Sequence, residues 1–458
     1  MRRVFGYIEK YLGFYRRNGL KRSLARGAEE ISARRSDMIY NELVHRTRSA
    51  RFSGRTKQST QRDAVKRSAL ITGARKYSVI VPAYETNPDY LSRMIVSVLH
   101  QTWGNIELII VDGSVSNTVC ETVEAFRDPR IRYLRLSENL GISGNTNIAL
   151  SKASGEYVLF VDHDDFIEHN AVEEIEKAVR DGAELVYTDE DKYDGARDRF
   201  FCPNRKPGYN KDLLLSNNYI CHLTAVRTSL ARRVGGFRSE FDGAQDYDFI
   251  LRCTEEIGQT KIRHVPRVLY HWRVHPSSTA GNPSSKRYAY ESGKRVLESY
   301  LERRSIKGEV KHTGHLGFYR IEYAPKDVPE GYVLFLDSRL IPLTEHYEKR
   351  MASYLAREDI GAVGARIIDR TGRIVSNGYT GDMNGKIRGK YCGMNRCFSG
   401  YMHRADMQQD IEAVSNRACL VRAELADCYQ KNSWRMFEEI RAKGYLVLVD
   451  PEIVFKKT

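Results

Sequence analysis

An α/β fold with a mostly parallel sheet is what this 458-residue sequence predicts, and three observations predict it. Continuous apolar runs of strand length alternate with amphipathic helical stretches from Tyr77 onward. Carboxylates cluster where those runs end. A shorter round of the same pattern returns after residue 306. Apolar strands that alternate with helices are buried on both faces, as in parallel α/β sheets. Ligands of such sheets sit beyond the carboxyl ends of the strands.

The elements follow in order. "YSVIVP" (Tyr77–Pro82) is a short β-rich strand. Pro88 to Gln101 reads as a helix, with Leu91, Met94, Ile95 and Val98 on one face. "IELIIVD" (Ile106–Asp112) is a second buried strand, and "CETVEAF" begins a second helix. "IRYLRL" is a third strand. Asn145–Ala153 reads as a third helix, entered through the Gly/Asn loop "NLGISGNTN" (Asn139–Asn147). "YVLFVD" (Tyr157–Asp162) is a fourth strand, Ala171–Val179 a helix, and "AELVYTDED" another strand. Asp112, Asp162 and the Thr188–Asp191 cluster are placed by this reading at strand ends.

The second round is an internal echo. "YVLFVD" recurs as "YVLFLD" (Tyr332–Asp337), and an amphipathic helix follows each. "AELVYTDED" is answered by "IGAVGARIID", and "HLTAVRTSLA" (His222–Ala231) by "RACLVRAELA" (Arg417–Ala426). The echo reads as a partial duplication of the second half of the fold, without the first strands. The organisation expected is a basic arm over 1–75, a complete domain over 76–305 and a degenerate partial copy over 306–458.

Composition restricts the function. The hydrophobic fraction is 41% and the charged fraction 29%, as in globular proteins with a sizeable core. No apolar run approaches the ~20 residues that span a bilayer, and the N-terminus has no secretory h-region. The eight cysteines are scattered without a CxxC pair, so they read as reduced thiols of a cytoplasmic protein. The net charge is +14, and residues 1–76 hold 20 Lys and Arg against 6 Asp and Glu. The arm therefore carries the whole excess. The neutral body has no recognisable nucleic-acid module, which argues against a nucleic-acid partner. Within the arm, Val4, Ile8, Leu12 and Tyr15 recur at helical spacing ahead of Arg16, Arg17, Lys21, Arg22 and Arg26. This basic amphipathic pattern over 4–26 suits an anionic membrane surface, with docking on the body or a frayed tail as the alternatives. Residues 46–76, rich in Arg, Lys, Ser, Thr and Gln, read as a linker.

The strongest chemical signal is "VDHDD" (Val161–Asp165). Three carboxylates at a strand end repel one another unless a cation or hydrogen bonds compensate. Mg²⁺ or Mn²⁺ takes oxygen ligands, often one or two carboxylates plus phosphate oxygens. The plainer reading is an acidic turn capping the next helix. In "GAQDYDFILR" (Gly243–Arg252), Asp246 and Asp248 open a helix. One is expected to serve the helix N-terminus, and Asp246 is the candidate general base. In "YHWRVHPSS" (Tyr270–Ser278), Arg273 and His275 are candidates for diphosphate or metal contact; an alternating surface strand is the alternative. Asp112 in "VDGS" is a candidate for reading a nucleobase edge, or an ordinary Asp-Gly turn. Gly141 and Gly144, beside Asn139, permit close backbone approach to a ligand, or simply make a turn.

Taken in order, "SVIVPAY", "IELIIVDGS", "NLGISGNTN", "VDHDD", "SNNYICHL", "QDYDFILR" and "YHWRVHPSS" resemble a family 2 glycosyltransferase of the GT-A fold. The resemblance covers about residues 76–300 and is nearest the bacterial branch that builds O-antigens and rhamnose-rich surface polysaccharides. It implies a metal-dependent, inverting transfer from a nucleotide-diphosphate sugar, UDP or dTDP favoured, to a glycan acceptor, lipid-linked at the inner face of the cytoplasmic membrane. It also implies roles. Pro82, Tyr84 and Glu85 match positions that hold base and ribose, and Asp112 matches the base-reading carboxylate. Asn139, Gly141 and Arg273 complete the expected nucleotide-sugar set. Asp162 and Asp164 match the Asp-x-Asp that binds Mn²⁺ or Mg²⁺, with Asp162 also on the nucleotide-sugar. His275 matches a histidine that completes the metal site in some relatives, and Asp246 the catalytic base. One departure is Thr146, where many relatives carry an Arg that helps bind the nucleotide.

In the second copy, "DSRL" (Asp337–Leu340) stands where the first has "DHDD", and no Asp near Asn432–Met436 matches Asp246. That copy is expected to be inactive, with a role in acceptor binding, partner contact or self-association. A sugar nucleotidyltransferase would carry a Gly-rich basic loop after the first strand, where this chain has "AYETNPDY". A processive membrane synthase would carry transmembrane spans and a Gln-x-x-Arg-Trp motif. A catalytically inactive glycan- or partner-binding protein is the remaining alternative, against which Asp164, Asp246 and His275 are retained.

Overall fold

The computed structural model describes residues 23, 24, 27–33, 35–42, 44, 75–275, 287–324, 331–381, 385–429 and 432–458. The amphipathic pattern over 4–26, apart from Ser23 and Leu24, and the expected linker up to residue 74 lie outside them. The chain forms two compact units. One comprises Arg35–Tyr209 and Asn218–Leu297; the other comprises Met1–Arg34, Asn210–Asn217 and Glu298–Thr458. They are called the N-terminal and C-terminal units below.

The N-terminal unit is built on strands β1 (Tyr77–Ala83), β2 (Ile106–Asp112), β3 (Ile131–Arg135), β4 (Tyr157–Phe160), β5 (Phe166–Ile167), β6 (Leu185–Asp194), β7 (Arg199–Asn204), β8 (Thr224–Arg227) and β9 (Ile262–Arg273). Helices α1 (Pro88–Leu99), α2 (Thr118–Glu124), α3 (Gly141–Lys152), α4 (Ala171–Arg180), α5 (Thr228–Arg233) and α6 (Gln245–Glu256) lie between them, and α7 (Arg287–Arg303) follows. The sheet order is β3-β2-β1-β4-β8-β6-β9-β5, with β7 on β6. The strands β3, β2, β1 and β4 are parallel, as are β6 and β9. Antiparallel β8 separates β4 from β6, and β5 and β7 are also antiparallel to their neighbours. The expected parallel character thus belongs to the first half, where helices return the chain to the same edge; the second half is mixed.

Local sequence accounts for the elements. All seven residues of β2 are buried, as its unbroken apolar run requires. In α1, Pro88 occupies the first turn and Asn87 caps it, accepting from the Asp89 and Tyr90 amides; such a cap contributes about 1 kcal/mol. Its buried face is Leu91, Met94, Ile95, Val98 and Leu99. The α3 helix begins at Gly141, four residues earlier than its apolar pattern predicts. Its opening turn holds Gly141 and Gly144, whose lack of side chains hides the helical period from sequence reading. The strand order reverses about β1, with β2 to one side and β4 to the other, the kind of switch point where α/β sheets bind ligands.

The arm boundary expected at residue 75 needs correction. Residues 35–42 are helical and fasten to β6 and β7. Asp37 Oδ1 accepts from the Cys202 amide (2.7 Å), Asn41 Oδ1 from the Phe200 amide (2.9 Å), and Tyr40 donates to Asp191 Oδ2 (2.7 Å). Tyr40 and Val44 pack on buried Phe166, Tyr193 and Phe200. Three polar side chains within five residues are read as a solvated arm by composition, yet here they satisfy strand amides and a buried carboxylate.

The C-terminal unit contains β10 (Gly308–His312) paired with β11 (Tyr319–Tyr323), then β12 (Tyr332–Leu336), β13 (Leu340–Pro342), α8 (Tyr347–Ser353), β14 (Ile360–Ile368) and β15 (Ile374–Ser376). The hairpin of β16 (Tyr379–Gly381) and β17 (Ile387–Gly389), β18 (Gln409–Asp410), β19 (Ala418–Arg422), α9 (Ser433–Ala442) and β20 (Leu446–Lys457) complete it. Its main sheet runs β12-β19-β14-β20-β13. Successive pairs are antiparallel, antiparallel, parallel and antiparallel. The run β4-β8-β6-β9-β5 in the N-terminal unit has the same sequence of pairings. The partners match the sequence echo: β4 with β12, β6 with β14, β8 with β19. Even the added edge strand recurs, β7 on β6 and β15 on β14. The second unit is therefore a partial copy that lacks counterparts of β1, β2 and β3.

Candidate active site

The carboxyl ends of β1, β2 and β4 bring the first candidates to one edge of the sheet. After Pro82, the chain turns at Glu85, which adopts a left-handed φ of +46°, an uncommon conformation for a residue with a Cβ. The turn is held by the side chain itself: Glu85 accepts from the amides of Val115 (2.8 Å) and Ser116 (3.0 Å) and from the Ser116 hydroxyl (2.7 Å). These bonds, the Ser116 hydroxyl first, lower its pKa. Tyr84 is exposed. Asp112 is fully buried at the end of β2, accepting from the Ser114 amide (2.8 Å) and the Tyr133 hydroxyl (2.6 Å). Each of its oxygens already has one protein donor, so a nucleobase would use a remaining lone pair. Asn139 ties this edge to α3: its Oδ1 accepts from the Gly141 amide and from Asn145 Nδ2, both at 3.0 Å. Gly141 has φ of +75°, which explains the glycine there.

The "DHDD" segment divides its carboxylates between two tasks. Asp165 is fully buried and accepts from the Tyr270 hydroxyl (2.5 Å) and the Arg273 amide (2.7 Å). Burial, then the charges of Asp164 and Asp162, raise its pKa. Asp164 Oδ2 lies 2.8 Å from His275 Nε2. The Asp162 side chain is 42% exposed, yet the site is enclosed enough that desolvation, followed by repulsion from Asp164 and Asp246, raises its pKa, while His222 opposes the rise. A bound cation would relieve that repulsion, so the donor set at Asp162 and Asp164 fits a hard divalent ion. Among the described residues, however, the trio whose ligand atoms all fall within 4.8 Å of one another is Glu190, Cys221 and His222, not Asp162, Asp164 and His275. Glu190 is already engaged by buried Lys206 (3.2 Å) and Asn204 (3.1 Å), which makes it a poor metal ligand.

Arg273 does not lie on the exposed, alternating strand face that was the alternative to a ligand contact. It is buried, its Nε donates to the Asp164 carbonyl (2.7 Å), and its guanidinium lies 4.4 Å from the Tyr90 ring centroid and 5.3 Å from that of Tyr193. Burial, then Arg93, lowers its pKa. The placement buttresses the acidic loop from behind, and Arg273 Nη2 is left buried without a hydrogen-bond partner among the described residues. Thr188–Asp191 also departs from expectation. Strand β6 continues to Asp194, so these residues are mid-strand. Asp189 faces His264 (2.7 Å) and Asp191 faces His271 (2.6 Å), pairs that allow carboxylates inside a sheet.

At the start of α6 the two acids separate cleanly. Asp248 is fully buried and held by Arg238 (Nε, 3.0 Å) and Arg252 (Nε, 2.9 Å; Nη2, 2.7 Å). Asp246 is partly exposed, and its Oδ2 accepts from Asn218 Nδ2 (2.7 Å). Cys221 Sγ lies 3.7 Å from Asp246 Oδ2 and 3.3 Å from His222 Nδ1, and His222 Nε2 lies 3.7 Å from Asp162 Oδ2. Asp246 and Asp162 are thus linked through two intervening side chains. The His222 ring stacks on Tyr270 (centroids 4.7 Å, 11°), with Glu190 3.4 Å from its other nitrogen. Burial disfavours its protonation, but Cys221, Glu190 and Asp162 together raise its pKa well above the usual histidine value. Burial pushes the Cys221 thiol up to about 11. No local pattern marks Asn218, Cys221 or His222 for a role: within "SNNYICHL" they stand in the connection between β7 and β8, and packing brings them beside Asp246 and Asp162.

The corresponding place in the C-terminal unit is occupied by its own counter-ions. Asp337, after β12, accepts from Arg339 (Nε, 3.0 Å; Nη2, 2.9 Å) and Arg417 (Nε, 2.8 Å). These bonds, Arg339 first, hold its pKa well below the usual range. The first turn of α9 contains no acidic residue.

Residues 78–235 match the family described as Glycosyl transferase family 2. The chain is 35% identical over 344 residues to an uncharacterised protein, y4gI, of Sinorhizobium fredii, covering 72% of this chain and 36% of that one. It is 30% identical over 260 residues to the O-antigen biosynthesis protein RfbC of Myxococcus xanthus, covering 55% and 20%. The chain therefore spans about a third or less of these relatives. Among solved structures it resembles S. aureus TarS 1-349 in complex with UDP-GlcNAc, at 20% identity and a TM-score of 0.41, covering 49% of this chain and 66% of that one.

Proposed function

We propose, from the premise that this chain carries a family 2 glycosyl transferase domain over residues 78–235, that it moves a sugar from a nucleotide-diphosphate donor to a glycan acceptor in cell-surface polysaccharide synthesis, with inversion at the anomeric carbon. The observation that carries the reading is the division of labour on α6. Asp248 is neutralised by two arginines, while Asp246 is left partly exposed and oriented by Asn218, two side chains from Asp162.

In this reading Asp246 accepts the proton of the acceptor hydroxyl as that oxygen bonds to the anomeric carbon and the bond to the diphosphate breaks. Asn218 holds the carboxylate in one orientation, which is how positioning lowers a barrier. Pro82, Tyr84, Glu85, Asp112, Asn139 and Gly141 line the edge assigned to base and ribose, with UDP or dTDP favoured. Asp162 and Asp164 would hold Mn²⁺ or Mg²⁺, with His275 on Asp164, and that ion would supply Lewis-acid neutralisation of the departing diphosphate. A single displacement opposite the leaving group inverts configuration. A lipid-linked acceptor is compatible with the basic arm. Among the described residues no helix is long and apolar enough to cross a membrane, and contact with an anionic surface is assigned to residues 1–45.

The test is nucleoside-diphosphate release from a panel of UDP-, dTDP- and GDP-sugars, with Mn²⁺ or EDTA, in the presence of a lipid-linked acceptor. Metal-dependent release from one donor supports the reading. If calorimetry finds no donor bound with metal present, the inactive binding-protein alternative takes its place.

A further inference from the structure

Residues 218–223, which carry Asn218 to Asp246, are neither helix nor strand. Tyr219, Ile220 and Leu223 among them are nevertheless buried. Backbone groups in such a segment need partners outside the sheet ladder, and two of its carbonyls share one.

That partner is Lys206, two residues after β7, whose side chain is 0% exposed. Its amide donates to Asp189 Oδ1 (2.8 Å) and Tyr187 donates to the Pro207 carbonyl (2.7 Å), so β6 fixes this point of the chain. Lys206 Nζ donates to the Ile220 carbonyl (2.6 Å), to the His222 carbonyl and to Glu190 Oε2 (3.2 Å). An ammonium has three donors, and all three are used. Burial would raise Glu190, but Lys206 and then His222 hold its pKa at about 2, so the ammonium keeps its counter-ion.

The two carbonyls stand on either side of Cys221, whose φ is +38°. A left-handed residue with a Cβ persists where its surroundings over-determine it, and here one cation grips the peptide on each side. Cys221 in turn holds Asn218. Its amide donates to Asn218 Oδ1 (3.3 Å), while Asn218 Nδ2 donates to Asp246 Oδ2 (2.7 Å). A chain of contacts therefore runs from the Lys206 ammonium through the Cys221 backbone and the Asn218 amide to the candidate base.

We propose that Lys206 is a positioning residue for the transfer: its ammonium sets the backbone around Cys221, and through it the orientation in which Asn218 presents its NH₂ to Asp246. This rests on the reading of Asp246 as the base. A side chain without donors at 206 leaves the carbonyls of Ile220 and His222 unpaired, so the Cys221 peptides can turn and Asn218 loses the amide that fixes its oxygen. Misplacement of about 1 Å can cost roughly 10²-fold in rate. Lys206 is not among the residues assigned to the donor edge, so its loss should act on kcat and not on donor affinity.

The test uses the full chain, the donor identified by the sugar-nucleotide panel and the lipid-linked acceptor. Turnover and donor Kd are measured for Lys206→Met, Asn218→Ala and the two together. Met at 206 leaves Glu190 buried and unpaired, so a second series is made on a Glu190→Gln parent, in which both buried charges leave together. The expected result in each series is a kcat about 10–100-fold below the parent for Lys206→Met, with donor Kd unchanged. Asn218→Ala alone should cost a comparable factor and, added to Lys206→Met, nothing further, as for groups that act through one another. A folded Lys206→Met protein with its parent's kcat would overturn the proposal, as would losses that multiply in the combined variant. Wild-type turnover by Asp246→Asn would instead remove the reading of the base on which the proposal rests.

Discussion

Replacing Asp248 by Asn separates stability from catalysis on a single helix turn. The Asp248 carboxylate is fully buried and takes hydrogen bonds from two guanidiniums, of which Arg252 is itself nearly buried and also donates to the carbonyls of Val234 and Gly236. Asn retains the shape and one acceptor but presents an NH₂ group to arginine donors. The buried Arg252 then lacks its counter-ion, as does the part-exposed Arg238 apart from Glu240 at 3.5 Å. Breaking a buried, hydrogen-bonded ion pair in this way costs about 3–5 kcal/mol. At about 2–4 °C per kcal/mol for a domain of 150–250 residues, the melting temperature should fall by about 6–20 °C. Urea unfolding at pH 7 measures the free energy, and calorimetry the melting point. Below the lowered transition, donor binding should persist, because the groups that hold Asp248 are Arg238 and Arg252, neither of which is among the residues assigned to the donor edge. A melting point within one or two degrees of wild type would refute the assignment of Asp248 as a buried structural counter-ion, and with it the division of labour from which Asp246 derives its role.

Three further outcomes follow from the same geometry. Burial would raise Glu107, but Ser78, Ser154 and Lys76 bring its pKa down to about 2 from 4.5. A depressed pKa contributes stability that is present above about pH 4.5 and lost as pH falls toward 2, and by pH 3 the loss from this group is about 2 kcal/mol; Glu107→Gln should flatten the acid limb of stability against pH by that amount, measured by urea unfolding between pH 3 and pH 6. Deleting residues 1–22 should weaken binding to anionic vesicles with no change in melting, whereas deletion through residue 44 should also lower the melting point, because Asp37, Tyr40 and Asn41 bond to β6 and β7; vesicle binding as strong as that of the full chain after both deletions would contradict the membrane assignment. Asp337→Asn should leave donor turnover unchanged, since its partners are Arg339 and Arg417; a loss of turnover would mean the second copy takes part in the chemistry.

Much of the fold was legible because the first half of the N-terminal unit follows one rule. Each of β1, β2 and β4 is a buried apolar run, and α1 and α4 show a plain amphipathic face, so period and length identify them. The echo was legible for the same reason, and its meaning became firm when β12-β19-β14-β20-β13 matched β4-β8-β6-β9-β5 pair for pair. The start of α3 was hidden by Gly141 and Gly144, which signal a turn although they open a helix. The extent of β6 was hidden because Asp189, Glu190 and Asp191 read as a polar strand end. Their partners His264, Lys206 and His271 lie far off in sequence, and no local pattern announces them. The candidate site shows the same division. Asp162, Asp164 and Asp246 stand out as residue types in a motif, but motif reading could not tell that Arg273 lies behind the loop among aromatic rings, nor that His222 lies between Glu190 and Asp162. Both depend on which strands become neighbours. The separation of Asp246 from Asp248 likewise needed Arg238, ten residues upstream, to be brought onto α6.

The central claim is that Asp246 is the base of a sugar transfer, and donor turnover by Asp246→Asn tests it most directly. The substitution keeps the Asn218 contact within reach and removes only the basicity. With the donor identified by the panel and saturating acceptor, the account predicts that kcat falls by about 10²–10⁴-fold, the range for loss of a positioned general base, while donor affinity and melting temperature stay at wild-type values. Turnover within a few-fold of wild type, with the protein folded and donor bound, would contradict it.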